Sequence, residues 1–150
     1  MNIAKALKEK NKLVKEYNSL ITSMIHNNSR MIGTKSHYNS YDLLEKAIKL
    51  QDEIVSLKTR IHKASEPVRE DIFKLSELKN LLSHFSSLDT TEGLKIISYS
   101  SDAPREYTAD INEIKKIEFI KQCEKEIEVV QDKLDSFNAT TIVEEEELPF

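Results

Sequence analysis

The sequence predicts a mainly all-α fold: four long helices in antiparallel hairpins or a bundle, with a short β-hairpin or extended excursion before the last helix. The chain has 150 residues but only two Gly and three Pro, too few turn residues to punctuate a many-stranded sheet. Apolar residues recur at alternating threes and fours over long stretches, which is the helical period. Helices of ~25 residues would be rods of ~37 Å, and such rods bury an apolar face against a hairpin partner or another copy.

The first helix is expected from about Asn2 to Asn28. Ile3, Leu7, Val14, Tyr17, Ile21 and Met24 form its seam, which Lys10 interrupts. Lys5, Lys8, Lys12 and Lys15 share the spacing but fall on the opposite side at 100° per residue. "HNNSRMIGTKSHYNS" then breaks the pattern, with Gly33 marking a loop. Ser40 is the expected cap of the second helix, with Asp42 placed against the helix dipole. This helix carries the clearest seam: Leu43, Ala47, Leu50, Ile54, Leu57 and Ile61 are unbroken at three-four spacing. Leu44, Ile48 and Val55 widen it and imply more than one neighbour.

"KASEPVRED" ends that helix and starts a third, with Ser65 as cap and Pro67 in the first turn. Its apolar residues run from Val68 through Ile72, Leu75, Leu78 and Leu82 to Phe85, and it ends near Leu88. In "LKIISYSSDAPREYTADIN", Ile96, Ile97 and Tyr99 favour strand, "SSDAP" a turn and "REYT" a return strand. Thr108 or Asp110 is the expected cap of a fourth helix over residues 111–137, with Ile117, Ile120, Ile127 and Leu134 on its seam. The expected organisation is a helical domain over residues 1–138, with its extended excursion at about 94–109, followed by a flexible acidic tail over 139–150.

Little in the chain suggests catalysis or cofactor binding. A di-metal carboxylate bundle needs Glu-x-x-His pairs aimed inward, whereas Ser23, Thr34, Thr59 and Leu81 stand three residues before the four histidines. No two histidines are spaced i, i+4. The lone Cys123 excludes an internal disulfide and a Cys-rich zinc site, and beside Phe119 and Val130 it reads as a small buried hydrophobe. Two glycines cannot build a phosphate-cradling loop or a nucleophile elbow. The sequence therefore reads as non-enzymatic, with no cofactor and no metal.

Charge is unevenly placed. Residues 1–63 carry 12 basic and 6 acidic side chains, a balance of +6, and residues 64–150 carry 10 and 20, a balance of −10. Such asymmetry favours pairing of opposite faces within the chain or head-to-tail association between copies. It argues against a dedicated nucleic-acid binder, which concentrates positive charge across a domain. No apolar run approaches the ~20 residues of a membrane span, and the Lys-interleaved start is no secretory signal. The expected location is the cytoplasm, or a host cytoplasm or virion for a phage-encoded chain.

Three stretches, "IAKALKEKNKLVKEYNSL", "LLEKAIKLQDEIVSLKTRIHK" and "TADINEIKKIEFIKQCEKEIEVVQDKLDSFNATTIV", give the chain a layout that resembles a small helical bacterial family often labelled septicolysin. Ala139 stands where that family's closing step has Trp. The resemblance implies an all-α protein of long hairpins with an extended excursion, forming oligomers. It implies no mechanism.

The closing "EEEELPF" resembles the C-terminal tip of bacterial single-stranded-DNA-binding protein. By that resemblance Glu144, Glu145, Glu146 and Glu147 would steer the peptide to a basic rim. Pro149, after Leu148, would stiffen it, and Phe150 would fill an apolar pocket while its carboxylate pairs with an Arg.

The leading functional expectation is an interaction or scaffold protein that self-associates as a homo-oligomer through coiled-coil-like seams, with Leu43, Leu50, Ile54, Leu57 and Ile61 as core or assembly residues. An alternative is a recruiter or inhibitor whose tip binds DNA replication and repair proteins. A further alternative is a structural part of a phage particle.

Overall fold

The computed structural model describes residues 1–96 and 103–145. In order along the chain are α1 (Ile3–Asn27), α2 (Ser40–Ala64), a 3-10 turn (Glu66–Val68), α3 (Arg69–Ser86), β1 (Gly93–Lys95), β2 (Arg105–Tyr107) and α4 (Glu113–Thr140). The fold is mainly all-α, with one two-stranded antiparallel hairpin before the last helix. The chain divides into two compact units: Met1–Val68 together with the residues from Asp135 onward, and Arg69–Leu134.

In the first unit α1 and α2 form an antiparallel hairpin. Asn2 caps α1 by accepting from the Lys5 amide at 2.9 Å. Asn39, one residue before the expected Ser40, caps α2 by accepting from the Tyr41 amide. Ser40 instead begins the helix and reaches the Met24 carbonyl at 3.4 Å, joining the two helices at their loop end. At the other end Ile3 and Ala6 of α1 meet Leu57 and Ile61 of α2, with Leu7, Leu13, Ala64 and Phe137 packed around them.

The last buried member of this core is Val143, which is 1% exposed, as is Ile3. The Ile3 amide donates to the Thr141 carbonyl at 2.9 Å and the Val143 amide to the Met1 carbonyl at 2.8 Å, bracketing an antiparallel bridge between Asn2 and Ile142. The Asn2 side-chain amide adds a bond to the Ala139 carbonyl. The expected tail from Ala139 is therefore displaced outward: α4 runs through Thr140, and residues 141–143 are pinned to the start of α1. The reason is long-range pairing, since Thr141–Val143 find their partner strand only at Met1–Ile3.

In the second unit α3 and α4 are also antiparallel. Asp71 pairs with Lys133 at 2.7 Å, the Cys123 thiol lies 3.5 Å from the Leu78 carbonyl, and Phe85 and Phe119 rings sit 4.3 Å apart. The Lys116 ammonium donates to the Leu88 carbonyl at 2.9 Å, which holds the far end. This core is thinner than the first. Cys123, Val130 and Leu134 of α4 are buried, but no residue of α3 is. Asn112, not the expected Thr108 or Asp110, caps α4 by accepting from the Lys115 amide. Strand β1 begins at Gly93, whose φ of 81° suits a residue without Cβ. It pairs Leu94 with Glu106 and Lys95 with Arg105. Both strands are exposed along their length. The β-forming Ile97 and Tyr99, and most of the expected turn, lie outside the described residues.

Candidate interaction surfaces

The seam residues of α2 lie together, and their partner is in the same chain. Leu43, Ile54, Leu57 and Ile61 are buried and Leu50 is half-buried, all on the helix of the α1–α2 hairpin. Ala47 completes the line. Along α1 the facing row of Leu7, Lys10, Val14, Tyr17, Ile21 and Met24 is half-buried throughout. Lys10 fits the seam because its aliphatic stem can lie along apolar neighbours while the ammonium stays in water.

The residues that widened this seam have no cover. Leu44, Ile48 and Val55 are 39%, 49% and 58% exposed, and Tyr41 extends their line toward the start of α2. Single exposed apolar side chains are ordinary on protein surfaces. Residues 41, 44, 48 and 55, by contrast, fall within a narrow arc of one helix face, with polar Gln51 and Asp52 between Ile48 and Val55. At its loop end the stripe opens into a groove of about 500 Å³ lined by Met24, Ile25, Asn28, Ser40, Tyr41 and Leu44.

A second surface is electrostatic. Lys5, Lys8, Lys12 and Lys15 are all exposed, and among the described residues none of their ammonium groups meets a carboxylate. Glu9 and Glu16 border the row without closing an ion pair on it.

The tail residues fall into two groups. Glu144 is anchored: its carboxylate pairs with Lys63 at 2.9 Å and its carbonyl accepts from Arg60 at 3.4 Å. Glu145 is exposed. Glu146, Glu147, Leu148, Pro149 and Phe150 lie outside the described residues. The anchoring of Glu144 was not visible in a run of four identical glutamates, because it depends on the register set by Val143.

At the end of α3 one titratable group, Asp89, is held by its neighbours. Asp89 accepts from both the hydroxyl and the amide of Thr91, and the neighbouring Thr90 hydroxyl donates to Glu113. The Thr91 hydroxyl chiefly, then its amide and the Lys116 charge, hold the Asp89 carboxyl below its ordinary value of 3.8. This turn fixes the entry to the β-hairpin. Among the described residues no group of three or more His, Cys, Asp or Glu side chains is arranged to hold a metal ion. Nor is any helix among them long and apolar enough to cross a membrane.

Fold and surfaces together define a helical-hairpin protein whose two units each pair long antiparallel helices, with an apolar stripe and a cationic row exposed on the first. No protein-family model, curated protein or solved structure matches the chain.

Proposed function

We propose that this chain is a non-enzymatic helical scaffold or interaction protein that self-associates through the outer face of α2. The observation that carries the reading is the stripe of Tyr41, Leu44, Ile48 and Val55, exposed on a helix whose neighbouring seam face is already filled by α1. An extended line of apolar residues beside polar ones is the pattern by which amphipathic helices dock. The expected assembly residues Leu43, Leu50, Ile54, Leu57 and Ile61 serve here as the internal core, and assembly passes to the adjacent stripe. Light scattering tests this. Ile48→Asp with Val55→Asp reduces the mass while the helix content stays unchanged, and an unaltered mass would remove the assignment.

A second reading concerns the tail. The base of the acidic run is held at the surface by Lys63 and Arg60, a position from which a following peptide can be presented to a partner. In this reading Leu148–Phe150 engage a pocket with a basic rim, as the resemblance to the single-stranded-DNA-binding protein tip implies. A pull-down comparing the intact chain with one lacking Leu148–Phe150 decides it, and identical captured partners would remove it.

A further inference from the structure

We infer that the tip of the α1–α2 hairpin is a peripheral membrane anchor: Met31 and Ile32 enter the interface of an anionic bilayer while Arg30 and Lys35 pair with its phosphates. This contact goes beyond the self-association proposed above and does not rest on it.

The turn at the tip holds these residues outward. The Thr34 amide donates to the Met31 carbonyl at 3.1 Å, closing a turn over residues 31–34. Gly33 has a φ of 88°, whereas Ile32 is not among the residues of positive φ. That combination is a type II turn, whose third position calls for Gly. Ile32 stands at the corner of this turn and is fully exposed, at 106%, with Met31 beside it at 81%. The chain then returns through Ser36, whose hydroxyl accepts from the Tyr38 amide at 3.2 Å and donates to the Tyr38 carbonyl at 2.9 Å.

One exposed Ile is ordinary on a protein surface. Here two adjacent apolar residues occupy the turn, with Arg30 before them and Lys35 after them. An apolar wedge with cationic flanks is the pattern of interfacial anchoring. Ile25, Tyr38 and Tyr41 near the same end are also exposed. Tyrosine rings suit the headgroup level, since the ring is apolar and its hydroxyl stays wet.

Charge complementarity selects the kind of surface. Residues 17–41 contain no Asp or Glu, although the chain has 26 of them and even spacing would put about four there. Arg30 and Lys35 are the formally charged side chains of that segment, and among the described residues neither meets a carboxylate. Juxtamembrane basic residues gain attraction from anionic lipids within about a Debye length of the surface. Shape then favours lipid over an acidic protein. A protein partner must supply a pocket matched to Met31 and Ile32, whereas the fluid headgroup and acyl boundary accepts a protruding wedge without one.

The test is co-sedimentation of the full-length chain with vesicles of phosphatidylserine mixed into phosphatidylcholine, against vesicles of phosphatidylcholine alone, at physiological salt. The wild type should pellet with the mixed vesicles and stay in solution with the neutral ones. Met31→Asp with Ile32→Asp should lower the partition constant about tenfold or more. Arg30→Gln with Lys35→Gln should lower it about fivefold for each charge removed. All four positions are exposed, and far-UV circular dichroism verifies that each variant is folded. The chain has no Trp, so Ile32→Trp installs a single reporter. Its emission should move to shorter wavelength with the mixed vesicles. A wild type that binds neither vesicle, tip variants that bind as the wild type does, or an unshifted emission would overturn the proposal. Loss of binding by Lys12→Gln with Lys15→Gln, with the tip variants unaffected, would give the vesicle contact to the lysine row and overturn it. Retention of the wild type on immobilised polyglutamate but not on vesicles would assign the tip to an acidic protein and overturn it as well.

Discussion

The Ile3 amide donates to the Thr141 carbonyl at 2.9 Å, joining the first turn of α1 to the segment that leaves α4. That bond sets the register that carries Val143 inward, where it closes the core of Ile3, Ala6, Leu57 and Ile61. Truncating a side chain this deeply buried removes transfer energy and leaves a cavity. Val143→Ala is expected to cost roughly 2 kcal/mol in urea unfolding. Val129→Ala, at an exposed position of α4, is expected to stay within about 0.5 kcal/mol. Equal effects would show that residues 141–143 do not pack as described.

The two apolar faces of α2 should respond differently to the same change. Leu57, 3% exposed, is expected to lose about 2–5 kcal/mol on substitution by Ala. Leu44→Ala should cost under about 1 kcal/mol in the isolated chain, measured in denaturant at a protein concentration too low for association. Leu50→Asp with Ile54→Asp places two carboxylates in the internal seam and should unfold the first unit, seen as a loss of helix signal.

The Lys63–Glu144 pair makes a complementary, small prediction. Its side chains are 76% and 78% exposed, so water screens the charges and both side chains give up rotamer freedom to meet. A double-mutant cycle with Lys63→Met and Glu144→Gln should give a coupling of at most about 1 kcal/mol. It should vanish near 1 M salt, where the Debye length is about 3 Å. A larger, salt-insensitive coupling would mean that the pair is shielded from water.

Asp89 carries a pH signature. Its carboxyl is held below the ordinary value of 3.8, mainly by the Thr91 hydroxyl and then by the Thr91 amide. A group depressed in the folded state contributes its stabilisation fully above the unfolded value and loses it as pH falls through the lower folded value. The contribution is therefore present at neutral pH and fades only below about pH 4. Thr91→Val removes the hydroxyl and keeps the amide, so NMR titration of the Asp89 carboxyl should show its pKa moving up toward 3.8. An unchanged titration would contradict the hydrogen-bond assignment.

Much of this fold was legible because its strongest signals are local. The α2 seam from Leu43 to Ile61 is the observed buried line, with Leu50 half-buried, because three-four spacing on a long helix leaves one face no other use. The α1 seam was legible too, although Lys10 appeared to break it. Caps were missed by one to four residues where several Asn, Ser, Thr and Asp compete. Asn39 outdid Ser40, and Asn112 outdid Thr108 and Asp110, since local backbone geometry decides which side chain reaches the free amides.

What sequence patterning missed depends on distant partners. Ile142 and Val143 beside a glutamate run resemble a loose tail until Met1–Ile3 supply a strand for them. The same is true of Leu44, Ile48 and Val55. Their pattern showed that α2 is apolar over a wide arc, but only the packed hairpin shows which part α1 covers and which part is left exposed.

The central claim is that the exposed stripe of α2 joins copies of this chain, and solution mass tests it most directly. Light scattering over a range of concentrations should give the wild type a mass well above the 17.3 kDa of one chain. Ile48→Asp with Val55→Asp should return it to the single-chain mass with helix content retained. A wild type at single-chain mass at every concentration, or a folded double variant as heavy as the wild type, would contradict the claim.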